Sequence, residues 1–206
     1  MDRKNPKGMA GIDVSENNGH VDWEAVREAG IGFAIIRLGY GNRHLDERFY
    51  ENVNRALDAG LEVGVYYYSY ALTVEAARNE AEFLADILKD CGMTADRLPL
   101  GVWYDMEDAD GYKRRNGMPD NGTLTEMCGA FLDVCRESGF AKCGVYASYD
   151  WLENRLDTSR WGEDALIWCA QWDDECDWDG AAIWQHTDGL EIGGHIFDGN
   201  ICMAEV

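Results

Sequence analysis

Apolar runs and amphipathic helices take turns along most of this chain, and that alternation restricts its fold more than any other feature. Strands are expected over 10–15 (AGIDVS), 31–41 (IGFAIIRLGYG), 61–70 (LEVGVYYYSY), 98–107 (LPLGVWYDME) and 141–148 (AKCGVYAS). Between them the spacing predicts helices over 21–30, 46–60, 73–92 and 123–139. Phe49, Val53, Ala56 and Leu57 share one face of the second helix, Gly60 stops it, and Thr123 is expected to cap the last. Strands joined through helices pair in parallel with right-handed crossovers. Continuous apolar runs such as FAIIRLGY suit a sheet covered on both faces.

Three further strands, over 164–172, 180–188 and 194–203, follow with little room for helices between them. Eight strands can close into a barrel. At 206 residues the chain is short for a full eightfold barrel of about 250 residues, and the missing length falls in its last third. The expected fold is a single irregular eight-stranded α/β barrel, TIM-like, with helices missing in the C-terminal third. The competing fold, an open doubly wound sheet, wants a glycine-rich phosphate turn after strand one, and DVSENNGHVDW does not supply it. Residues 1–10 are polar, lack the apolar stretch of a signal peptide and are expected as a flexible leader; 11–206 form one domain.

Composition narrows the function. A net charge of −21 argues against nucleic acid and against anionic membrane surfaces, both of which need Lys and Arg. No run of about 18 apolar residues is present, so no transmembrane helix is expected. The seven cysteines form no CxxC pair, and Cys128 and Cys135 lie about 10 Å apart on one helix, too far for a disulfide. Free thiols are expected. His20, His44, His186 and His195 lack metal-ligand spacing, so neither metal nor cofactor is expected.

In a barrel of this kind the active site lies at the C-terminal strand ends. Those ends carry Asp13; Arg37; Tyr66 and Tyr68; Asp105 and Glu107; Tyr146; Gln171 and Trp172; Trp184 and Gln185; and Asp198. Asp105 and Glu107 in WYDME point the same way, with Cα atoms about 6.6 Å apart. Carboxyls this close separate each other's pKa values, leaving one protonated beside one ionised, as glycosidic cleavage requires. An isolated DxE is more often a solvated strand end; acids and aromatics on the other strand ends weigh against that here. Tyr66, Tyr68, Trp172 and Trp184 could equally be core residues or platforms for sugar rings. Asp108 and Asp110 read as ordinary loop charges, and Met106 as packing.

The ordered set GIDVSENNGHVDWEAVREAGIGFAIIRLGYG, DERFYENVNRALDAGLEVGVYYYSYA, LPLGVWYDMED, WCAQW, IWQHT and FDGN resembles the glycoside hydrolase family 25 lysozymes, the Chalaropsis-type muramidases. The resemblance covers nearly everything after residue 10. It implies an irregular α/β barrel and hydrolysis of the β-1,4 bond between N-acetylmuramic acid and N-acetylglucosamine in peptidoglycan. It also implies an acidic quartet at Asp13, Asp105, Glu107 and Asp198. Two departures stand out: the run GVYYYSY, where members often carry His-Phe after GVY, and a basic cluster, Lys113 to Arg115, in the loop 108–117.

On this reading Glu107 is the general acid. Asp105 orients an attacking 2-acetamido carbonyl of the substrate or acts itself as base or nucleophile, and the residues leave both routes open. Asp13 and Asp198 tune the pair. Arg37, Tyr66, Tyr68, Tyr146, Gln171, Trp172, Trp184 and Gln185 are the expected substrate contacts. The expected partner is the peptidoglycan glycan strand, met by a monomer outside the cell, after secretion or release as a phage endolysin. Two alternatives remain. A chitinase-like enzyme would carry DxxDxDxE, but Leu100 and Trp103 occupy its first acidic positions. A non-catalytic glycan binder would keep the aromatics and lose acids.

Overall fold

The computed structural model describes residues 7–204. Its strands are β1 (Ala10–Val14), β2 (Phe33–Tyr40), β3 (His44–Leu45), β4 (Glu62–Tyr68), β5 (Val102–Asp105), β6 (Cys143–Ser148), β7 (Leu166–Ala170), β8 (Ile183–Ile192) and β9 (His195–Cys202). Its helices are α1 (Trp23–Glu28), α2 (Phe49–Asp58), α3 (Val74–Asp90), α4 (Tyr112–Arg115), α5 (Asn121–Glu137) and α6 (Tyr149–Asn154). Eight strands close on themselves in the order β1-β2-β4-β5-β6-β7-β8-β9, and β3 is a two-residue addition folded back on β2. The barrel expected from the alternation is present, with its helical coat thinned after β6 to the six residues of α6.

The pairing departs from uniform parallel order at the end. Apart from the short antiparallel β3, every neighbouring pair of barrel strands from β1 to β8 is parallel, but β9 runs antiparallel to both β8 and β1. Gly193 and Gly194 explain this. Their φ values of 59° and 82° form a two-residue turn between Ile192 and His195, which face each other across the hairpin. β8 consequently continues past the expected 188 to Ile192. Helix boundaries shift as well. Asp120, not Thr123, caps α5, its carboxylate accepting the Thr123 N–H at 2.8 Å. Of the expected leader, residues 1–6 lie outside the described residues. Gly8 and Met9 already bond to Cys202, and β1 begins at Ala10.

Two cores follow from the two-residue period of the strands. Inside the barrel lie Phe33, Ile35, Leu100, Trp103, Trp168, Ile183 and Cys202. Outside, Ile12, Val14, Ala34, Ile36, Val102, Tyr104 and Met106 meet the buried stripes of the helices. The interior is tight. A Cβ on Gly144 would stand 2.5 Å from the Trp103 ring and 2.4 Å from the Leu166 carbonyl oxygen. In α3 the buried stripe Ala77, Ala81, Leu84 and Leu88 also includes Glu80. That carboxylate is satisfied locally, accepting from the Tyr104 hydroxyl at 2.6 Å and the Tyr70 N–H at 3.0 Å.

Candidate active site

The parallel strands deliver their inward side chains to a cleft of about 340 Å³ at the barrel mouth. β5 supplies Trp103 to the interior and then Asp105 to the mouth. The Met106 N–H still bonds to the Tyr146 carbonyl at 2.9 Å, so the alternation persists one step beyond the strand: Met106 packs outward, fully buried, and Glu107 turns into the cleft. Asp105 sits in register with Tyr68 on one side and Tyr146 on the other. Asp13 and Asp198 face each other across the antiparallel β1–β9 pair.

A hydrogen-bond network fixes one half of the rim. Asp13 Oδ2 accepts from Gln185 Nε2 at 2.9 Å and Asn200 Nδ2 at 2.7 Å. Asn200 Oδ1 accepts from the Trp168 indole N–H at 2.8 Å. Gln185 Oε1 accepts from the Tyr146 hydroxyl at 3.0 Å and the Trp172 indole N–H at 3.2 Å. Both amides are thereby locked with their NH₂ groups toward Asp13. Asp105 differs: its buried Oδ1 has no hydrogen-bond partner among the described residues.

All four acids are harder to ionise than usual. Burial raises Asp13, and the Asp198 charge raises it further against the pull of Asn200 and Gln185. Burial and the Glu107 charge raise Asp105, with Lys113 opposing. Burial lifts Glu107 to about 7; Lys113 opposes this, while Asp110, Asp198 and Asp108 add to it. Burial and Asp188 raise Asp198, while a hydrogen bond to Asp13 lowers it. Near neutral pH the mouth therefore holds a carboxyl poised between its two forms beside others crowded by like charge.

Of the expected contacts, Arg37, Tyr66, Tyr68, Tyr146, Trp172 and Gln185 line the cleft together with the four acids. Arg37 does so with its charge already committed, to Asp46 at 2.8 Å and Glu16 at 3.2 Å, while its guanidinium lies 4.8 Å from the Tyr40 ring centre. Gln171 and Trp184 do not line it. The Gln171 side chain closes the loop after β7, donating to Asp177 at 2.6 Å and accepting the Asp177 N–H at 2.9 Å; the Trp184 indole donates to the Gln171 carbonyl at 2.7 Å. Both brace the loop that carries Trp172. Sequence reasoning missed Trp168, Asn17, Asn18 and Asp188, which also line the cleft. Trp168 shares the parity of Trp172, four residues on, and that was its available signal. Among the described residues no group of three or more His, Cys, Asp or Glu is arranged to hold a metal ion. A larger hollow of about 590 Å³ near His20, Asp22, Arg55 and Asp58 contains none of the strand-end acids.

The family model for glycosyl hydrolases family 25 matches residues 12–195. The chain belongs to that family. Over 62 residues it is 39% identical to "Lysozyme M1" of Streptomyces globisporus, covering 30% of this chain and 21% of that protein. Over 169 residues it is 25% identical to "Autolytic lysozyme" of Clostridium acetobutylicum, covering 80% of this chain and 45% of the relative. The chain thus spans less than half the length of either curated relative. Among solved structures, the modular autolysin LytC of Streptococcus pneumoniae, in complex with a synthetic peptidoglycan ligand, superposes with a TM-score of 0.81 at 24% identity. That match covers 94% of this chain and 46% of that one, and it places the family 25 chain in the same fold.

Proposed function

We propose that the barrel of this family 25 chain, expected over 11–206 and described to residue 204, is a catalytic domain that hydrolyses peptidoglycan. The bond cleaved is the β-1,4 link from N-acetylmuramic acid to N-acetylglucosamine. The observation that carries this reading is the pairing of Asp105, at the end of β5, with Glu107, two residues on, in a cleft lined by tyrosines, Trp172 and three further acids. The relatives' names, lysozyme and autolytic lysozyme, agree with it.

Glu107, raised to about 7, retains a proton near neutrality and gives it to the leaving glycosidic oxygen. Asp105, with an oxygen that no donor among the described residues satisfies, accepts from the substrate's acetamido N–H and aligns its carbonyl for attack on the anomeric carbon. The carbonyl oxygen then forms the new bond as the glycosidic bond breaks, and water opens the resulting oxazolinium. Asp13 and Asp198 supply the negative field that favours the oxocarbenium-like transition state. Tyr68, Tyr146 and Trp172 present ring faces and hydroxyls to the sugars.

The protein acts as a monomer on glycan strands outside the cell, reached by secretion or as a phage endolysin. Among the described residues no helix is long and apolar enough to cross a membrane. The test is digestion of purified peptidoglycan with analysis of the new reducing ends. N-acetylmuramic acid termini are expected. Termini on N-acetylglucosamine, or none, refute the reading.

A further inference from the structure

A buried cation stands behind the acid pair. α4 is a single turn held to the end of β5 by Asp108, whose carboxylate accepts the N–H groups of Lys113 at 2.7 Å and Arg114 at 3.2 Å. Arg114 and Arg115 are exposed, whereas Lys113 is 1% exposed and absent from the cleft lining. Its ammonium donates to the main-chain carbonyl of Ser69, just beyond β4, and to that of Glu107 at 2.9 Å. The Tyr68 ring centre is 6.0 Å away.

Tethering two carbonyls needs donors, not charge. An ammonium withdrawn from water costs several kcal/mol unless opposite charge compensates it, and no carboxylate of the described residues ion-pairs with Lys113 directly. The nearby acidic groups are Asp105 on β5, Glu80 on α3 and Asp108 in the loop, with the Cys128 thiol, which burial keeps protonated, on the α5 side. Burial pulls the Lys113 pKa below its usual 10.5 and these groups draw it back. Around the pair itself, Asp13, Asp198 and Asp110 add negative field, and Arg37 is spent on Asp46 and Glu16. Lys113 is therefore the cation that opposes the field at Glu107, and at Asp105 it acts more strongly than Arg37, the other cation that reaches that acid.

We propose that Lys113 is a positioning residue of the acid pair. Its ammonium fixes the main chain at Glu107 against Ser69 and supplies, from behind the cleft, the charge that lets one acid ionise while the other keeps its proton. The inference rests on the general-acid role proposed for Glu107.

pH–rate profiles of peptidoglycan hydrolysis by the wild-type chain, Lys113→Gln and Lys113→Arg test it. Glutamine keeps a donor and drops the charge, so both limbs of the profile move to higher pH by about one unit. Arginine keeps the charge, so its limbs stay at the wild-type pH while kcat falls. A wild-type chain inert on peptidoglycan overturns the hydrolase reading and this inference with it. An active wild type with a folded Lys113→Gln whose limbs do not move overturns this inference alone. Should Lys113→Gln lose its native circular dichroism, the wild-type ¹⁵Nζ chemical shift of Lys113 decides. An ammonium throughout the active pH range is expected, and a neutral amine there refutes the proposal.

Discussion

Replacing Glu107 by glutamine should make the protein more stable while removing its activity, and the gain should depend on pH. Burial and neighbouring acids hold the Glu107 carboxyl at about 7 in the folded chain against a usual 4.5. Below the usual value both folded and unfolded chains carry the proton, and no penalty exists. As pH rises toward 7 the unfolded chain ionises freely while the folded chain resists, and stability is lost until the folded value is passed. At about 1.4 kcal/mol per unit of displacement, the full penalty above pH 7 is about 3 kcal/mol. Glutamine is nearly isosteric with the protonated acid and never ionises. Glu107→Gln should therefore gain about 2–3 kcal/mol at about pH 8 and under about 1 kcal/mol at about pH 5. In a domain of this size that corresponds to about 5–10 °C in Tm at the higher pH. Urea unfolding followed by tryptophan fluorescence at the two pH values reads it directly. Hydrolysis should fall at least about 100-fold. An equal gain at both pH values, or a loss at about pH 8, would refute the claim that Glu107 is held protonated by its surroundings.

Wild-type hydrolysis should decline as pH rises through about 7, where Glu107 gives up its proton, and a buffer series of initial rates checks this. Gln185→Leu removes acceptor and donor from Tyr146, Trp172 and Asp13 together; kcat should fall about tenfold or more, with the acid limb displaced upward as Asp13 loses a stabilising donor. Trp172→Ala, at a side chain 61% exposed, should weaken binding of soluble glycan fragments about tenfold while changing stability by less than about 0.5 kcal/mol, measured by calorimetry and thermal melts. Gly144→Ala should cost about 3 kcal/mol in urea unfolding, because its methyl group meets both the Trp103 ring and the Leu166 carbonyl.

Much of this architecture was legible in the sequence because both periodicities are strong. The strand ends of β1, β2, β4, β5 and β6 follow from apolar runs that stop at acids and tyrosines, and two-residue alternation suffices to put Asp105 and Glu107 on one face. The shortfalls have physical causes. The dipeptide Gly193–Gly194 is a hairpin signal, but it follows the polar end of β8, whose alternation is weak, so the sequence alone does not show the antiparallel closure. Trp168 sits inside LIWCA, where an inward ring and a core ring look alike. Gln171 appeared free to meet substrate, yet Asp177, six residues on, folds back to occupy it. Lys113 stands between Tyr112 and two arginines, and a run of cations reads as solvated. Only the course of the chain around Ser69 and Glu107 singles out one member for burial.

The reversed direction of β9 also decides where the chain leaves the barrel. A last strand parallel to the others would end at the mouth, beside the acid-lined cleft. Running the other way, β9 carries Asp198 at its middle and finishes at Cys202, next to Gly8 and Met9 on the floor. Gly8, Met9 and Cys202 thus share the side opposite the acid-lined cleft. The backbone bonds that join Gly8 and Met9 to Cys202 thereby lock the first and last described strands to each other away from the mouth, and neither segment narrows the cleft.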